Sequence, residues 1–119
     1  MGRIAYPLLR REPSEILKPS TIDVYFWAGC PSHPEALELL GDVLAERGLE
    51  TPVELHEVFT HEQAQELRFP GSPTIRVDGR DVDPEGAEAP PSLTCRVYRL
   101  PDGRPSPVPS RQQLEDALR

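Results

Sequence analysis

The chain has 119 residues, 37% hydrophobic and 28% charged, enough for one modest core and too apolar for a disordered chain. Thirteen basic against twenty acidic residues give a formal charge of −7, which argues against nucleic acid or an anionic membrane as the main partner, since both need a basic face. No apolar run approaches a membrane span, and the two cysteines cannot build a disulfide scaffold yet suffice for thiol chemistry.

Residues 1–20 carry Pro7, Pro13 and Pro19 with few periodic apolar positions. They read as an extended leader, lying over the domain or partly loose. Met1 to Arg11 lacks the apolar stretch and small-residue cleavage site of a secretory signal. The expected location is therefore the cytoplasm, where a working thiol is more plausible than a disulfide staple. The domain is expected to span residues 21–119.

Thr21 to Trp27 is β-branched and aromatic, apolar on both faces, as in a central strand covered on both sides. Gly29-Cys30-Pro31 stops it. Ser32-His33-Pro34-Glu35 reads as a capping box, with Ala36, Leu37, Leu40, Val43 and Leu44 at helical spacing and Gly48 as terminator. Pro52 to Phe59 alternates, with Val53 and Leu55 opposed to Glu54 and His56, and predicts a second strand. Thr60 to Gln63 is another capping box, opening a short helix that Phe69-Pro70-Gly71 breaks. Thr74 to Val77 predicts a strand, Asp78-Gly79 a hairpin turn, and Arg80 to Asp83 the returning strand. Residues 84–109 hold seven of the fifteen prolines and read as an irregular insertion, apart from an extended piece over Leu93 to Leu100. Ser110 with Gln113 caps a last helix whose apolar face is Leu114, Ala117 and Leu118. The order predicts an α/β fold, β-α-β-α-β-β-α. Its mixed four-stranded sheet has a parallel first pair, an antiparallel last pair, and helices on both faces.

Two local motifs carry chemistry. Phe26-Trp27-Ala28-Gly29-Cys30-Pro31-Ser32-His33 closes the first strand and opens the first helix; Phe69-Pro70-Gly71-Ser72-Pro73-Thr74-Ile75 opens the third strand. Together, over about residues 21–83 and the last helix, they resemble the thioredoxin/glutaredoxin superfamily. The nearest subgroup is a set of small thioredoxin-like proteins, some labelled alkylmercury lyase. The resemblance implies a thioredoxin-like fold and a nucleophilic Cys30 at the first helix. It also implies a cis Ser72-Pro73 bond beside that cysteine, and a partner docking against Trp27, Pro31, Ser72 and Pro73. Elementary electrostatics agrees, because a helix N-terminus favours a thiolate over a thiol. His33, three residues after Cys30, would bring an imidazole near the sulfur.

The dithiol pattern is broken where His33 replaces a second cysteine. The resemblance then leaves two routes. One is a monothiol route through a mixed disulfide, with glutathione as co-substrate and no other cofactor. The other takes its resolving thiol from Cys95, because in the glutaredoxin branch that connection passes beside the site. Cys95 reads equally well as a buried small residue facing Val97. His56 and His61 read as solvated, Trp27 as core packing, and Arg68, Arg76 and Arg80 as a weak carboxylate-binding group. No catalytic role carries over to Asp23. Three functions follow: a thiol–disulfide oxidoreductase; a soft-metal binder for mercury, copper or zinc using Cys30, His33 and Cys95; and a non-catalytic scaffold.

Overall fold

The structure is a computed structural model that describes residues 19–119; apart from Pro19 and Ser20, the expected leader lies outside the described residues. At its centre is strand β1 (Ile22–Phe26), parallel to β2 (Val53–Glu57) on one side and antiparallel to β3 (Thr74–Val77) on the other. Strand β4 (Arg80–Asp81) pairs antiparallel with β3, completing a mixed sheet of order β2-β1-β3-β4. Helix α1 (His33–Glu46) joins β1 to β2, α2 (His61–Leu67) joins β2 to β3, and α3 (Arg111–Ala117) follows a short ribbon of β5 (Tyr98–Arg99) and β6 (Pro105–Ser106).

The twofold alternation of a strand divides the core. Ile22 and Val24 point to one face and are fully buried, with Ile75 and Val77 of β3, beneath Ala36, Leu40 and Val43 of α1 and Leu114 of α3. Tyr25 points to the other face, where it packs with Trp27 and Leu93 against a second cluster of Val58, Ala64 and Phe69 under α2. The two helices on the first face are also joined at their ends by an ion pair between Arg111 and Glu46. No helix among the described residues is long and apolar enough to cross a membrane.

The turns obey local stereochemistry. Asp78 and Gly79 both have positive φ, 52° and 82°, the signature of the type I′ turn whose twist matches its flanking strands. The Asp78 carboxylate also accepts the backbone N–H groups of Ser20 and Thr21 at 2.8 and 2.9 Å, tying the start of β1 to this hairpin.

Several expectations change in detail. Leu55 does not join the core: β2 is an edge strand, and the side chain is 54% exposed. The returning strand pairs only over Arg80–Asp81. Of the extended piece expected over Leu93 to Leu100, only Tyr98 and Arg99 enter a ladder; Cys95 makes an isolated bridge instead. Ser32 stands at the helix N-cap, but its backbone is already helical (φ −87°, ψ −13°) and its side chain makes no capping bond. Side-chain capping requires the extended backbone that Thr60 and Ser110 adopt, and both of those form complete capping boxes with Gln63 and Gln113.

The three serine and threonine caps should therefore behave differently. Thr60→Ala and Ser110→Ala are expected to cost about 1 kcal/mol each in urea denaturation, and Ser32→Ala less than about 0.5 kcal/mol. Equal losses at all three positions would contradict this assignment.

Candidate functional site

The site forms where β1 runs out. Beyond Phe26 the chain turns, and the Cys30 N–H donates to Trp27 O at 3.0 Å. Gly29 leaves room for the Trp27 ring here: a Cβ would lie 2.3 Å from it and would make the ring shift. Trp27 in turn donates its backbone N–H to Ser72 Oγ at 3.0 Å, which joins this turn to the start of β3. The Ser72–Pro73 bond is cis, as the resemblance implied, and Ser72, Pro73 and Thr74 are all buried.

A third segment completes the site. Thr94 to Arg96 runs parallel to Ser72, whose N–H donates to Thr94 O and whose C=O accepts from Arg96 N–H, both at 2.8 Å. Gly71 makes this approach possible, since a Cβ there would sit 2.8 Å from Arg96 Cα, and its φ of +133° suits glycine alone. Cys95 is thereby carried to Cys30, Cα to Cα 5.5 Å, and the two form a disulfide across 65 positions of sequence. The Cys30 sulfur also lies 3.5 Å from Ser72 O. The bridge ties up both sulfurs that a Cys30–His33–Cys95 metal site would use.

The two cysteines differ in setting. Cys30 is 0% exposed, whereas Cys95 is exposed, contrary to the buried alternative weighed for it. Pro31 is exposed next to Cys30. His33 stacks on Phe26 with ring centroids 4.4 Å apart, and its Nδ1 lies 3.4 Å from the carbonyl oxygen of Cys30. With the proton on Nδ1 it donates to that carbonyl, holding the backbone of the turn.

Arg96 is a structural centre that sequence reasoning missed. It is 2% exposed and grips Asp81 with two parallel bonds of 2.7 Å, Nη1 to Oδ2 and Nη2 to Oδ1. Nη2 also donates to Asp83 O at 3.0 Å, and Nη1 to Thr74 Oγ1 at 3.3 Å. The guanidinium lies 4.3 Å over the Tyr98 ring, whose hydroxyl donates to Pro73 O at 2.5 Å. Burial works against the Arg96 charge, but the Asp81 hydrogen bond, the Tyr98 and Asp81 fields and the Asp83 field outweigh it and raise its pKa. Burial pushes the Tyr98 hydroxyl well above its ordinary value. A lone arginine after a cysteine gives no sequence signal for such a role.

The other candidates stand apart. Arg76 donates to Leu67 O and Arg68 O at 2.8 and 3.1 Å and covers the Tyr25 ring, so its charge is spent on the end of α2. Arg68 and Arg76 line a depression of about 620 Å³ that neither cysteine borders. His61 is exposed as expected. His56 is not simply solvated: it stacks on Tyr25 and meets Asp23 Oδ1 at 2.7 Å, because β1 and β2 pair in the register Asp23–Glu54 and Tyr25–His56. Glu54 joins them in a group whose ligand-type atoms lie within 4.8 Å of one another, an approach the Asp23–His56 bond already accounts for. No protein-family model matches the chain, and comparison with curated proteins and with solved structures finds no match.

Two outcomes follow from the buried polar cluster. Arg96→Met strands the Asp81 carboxylate, which is expected to cost about 3–5 kcal/mol in urea denaturation, with Arg96→Met/Asp81→Leu recovering most of the loss. A double variant no better than the single one would contradict this. For Tyr98 the raised folded pKa means that the folded chain holds its proton more tightly than the unfolded chain. Its stabilisation is complete below the ordinary value of 10.0 and declines as pH rises above it. Stability should fall in that alkaline window by about 1.4 kcal/mol per pH unit from this residue, and Tyr98→Phe should remove that slope.

Proposed function

We propose that the protein is a thioredoxin-like thiol–disulfide oxidoreductase whose redox couple is Cys30 and Cys95. The observation that carries this reading is the Cys30–Cys95 bridge set against Ser72 and Pro73, at the end of the central strand and the start of α1. Cys95 supplies the second thiol that position 33 lacks. The sheet order β2-β1-β3-β4, parallel at β2–β1 and antiparallel onward, supports a thioredoxin-like arrangement.

The couple works as a two-electron carrier. A partner thiolate attacks one sulfur of the bridge, forming a mixed disulfide and releasing the other as a thiolate. A second partner thiolate then displaces the protein's sulfur, leaving a partner disulfide and a reduced pair. Run backwards, the reduced pair takes a partner disulfide to two thiols. A bridge with one exposed end, here Cys95, belongs with exchangeable disulfides more than a wholly buried one does. In the reducing cytoplasm, where we place the protein, such bridges are typically transient and catalytic. Glutathione or a protein thiol would serve as partner.

Mass spectrometry and a turnover assay test the reading. The protein treated with mild oxidant should be lighter by two hydrogens than the reduced form, without adducts. Reduction by excess dithiol and reoxidation by glutathione disulfide should interconvert the two. Cys30→Ser and Cys95→Ser should each slow catalysed exchange about tenfold or more. A bridge that resists the dithiol in the folded protein, or full turnover by either variant, would overturn the proposal.

A further inference from the structure

We infer that Cys95, not Cys30, is the sulfur that exchanges with partners, and that Cys30 is the buried resolving thiol. This rests on the exchange reading of the bridge and reverses the order expected from the sequence, in which Cys30 attacks first.

Access decides the matter. Displacement at sulfur proceeds in line, with the incoming thiolate approaching along the S–S axis from behind the sulfur it attacks. Cys30 has no exposed surface, so the space behind it is protein interior, and the Ser72 carbonyl oxygen lies 3.5 Å from its sulfur. Cys95 is exposed and borders two surface depressions. One, of about 530 Å³, lies against Pro70 and Pro90; the other, of about 280 Å³, lies against Val97 and Pro105.

The backbone around the bridge closes the alternative path. An extended partner reaching Cys30 by strand addition would need the N–H and C=O of Ser72. Both are already paired with Thr94 and Arg96 of this chain. Residues 94–96 thus fill the place a partner segment would take, and present their own cysteine there. Arg96 is anchored through Asp81, so the segment does not depend on the S–S bond to stay in place.

The steps balance. A partner thiolate attacks Cys95 Sγ; the new bond is partner S–Cys95 S, and Cys30 leaves as a thiolate. A second partner thiolate attacks the partner sulfur of that mixed disulfide, and Cys95 leaves as a thiolate. Two partner thiols have become one disulfide, and the bridge has taken up two electrons. In reverse, the Cys95 thiolate attacks a partner disulfide, and Cys30 then attacks Cys95 Sγ, expels the second partner thiolate and closes the bridge.

The oxidised wild-type protein, mixed briefly with glutathione, quenched in acid and treated with an alkylating agent, distinguishes the outcomes by peptide mass mapping. Glutathione on Cys95 with alkylation on Cys30 is expected. Glutathione on Cys30 with alkylation on Cys95 would overturn the inference while leaving the exchange reading intact. A bridge untouched by excess glutathione and by dithiol would overturn both. Reactivity of single-cysteine proteins toward an aromatic disulfide gives a second measure. Reduced Cys30→Ser, which keeps Cys95, should react about tenfold or more faster than reduced Cys95→Ser, which keeps Cys30. Equal rates, or the opposite order, in variants with wild-type circular dichroism would count against Cys95.

Discussion

The bidentate pair of Arg96 and Asp81, with 1% and 6% of their side chains exposed, anchors the segment that carries Cys95 to strand β4. Removing two such ions from water costs several kcal/mol each, and only close geometry with further hydrogen bonds offsets it. Here the guanidinium also reaches Asp83 O and Thr74 Oγ1 and lies over Tyr98. Among the described residues, Arg96 Nε is the one buried side-chain nitrogen or oxygen left without a partner. A cluster satisfied this far has one arrangement. It docks the 94–98 segment on β4 and on the start of β3, and so helps to bring Cys95 to Cys30.

Through this cluster the proline-rich stretch becomes a strap. Ser72 pairs with Thr94 and Arg96, Tyr98 bonds Pro73 O, and Ser92 N–H donates to Phe69 O at 3.1 Å. These contacts fall on Phe69, Ser72 and Pro73 of the 69–73 loop, which Trp27 also meets through Ser72 Oγ. The turn carrying Cys30 and the strap carrying Cys95 are thus held by the same short loop. Gly71 is the concession that allows it, since any side chain there would push the strap away.

The elements with strong local codes were legible in the sequence. The Asp78-Gly79 turn and the Thr60 and Ser110 boxes depend on neighbours a few residues away, and the structure carries all three. Pairings over long separations were not legible. Arg96 lies fifteen positions from Asp81, and nothing local marks either as buried. Leu55 looked internal because alternation identifies the face of a strand but not whether the strand lies at an edge of the sheet. Ser32 had the residue type of a cap, but the turn from Cys30 and Pro31 left its backbone helical. The meeting of Cys30 with Cys95 was an open alternative, because it depends on a strap whose anchor the sequence did not reveal.

The position of the strap bears on what the bridge does to stability. Closing a loop between residues 65 apart removes unfolded-chain entropy worth about 4 kcal/mol. A bridge that alone held its two segments together would make reduction a local unfolding event. Here the Ser72 pairing, the Arg96–Asp81 pair and the Tyr98 hydroxyl fix the strap without it. Reduction then returns entropy to the unfolded chain while the folded chain keeps Cys95 beside Cys30. Two thiols preorganised in this way can close again without a search, which a reversible couple requires and a staple does not.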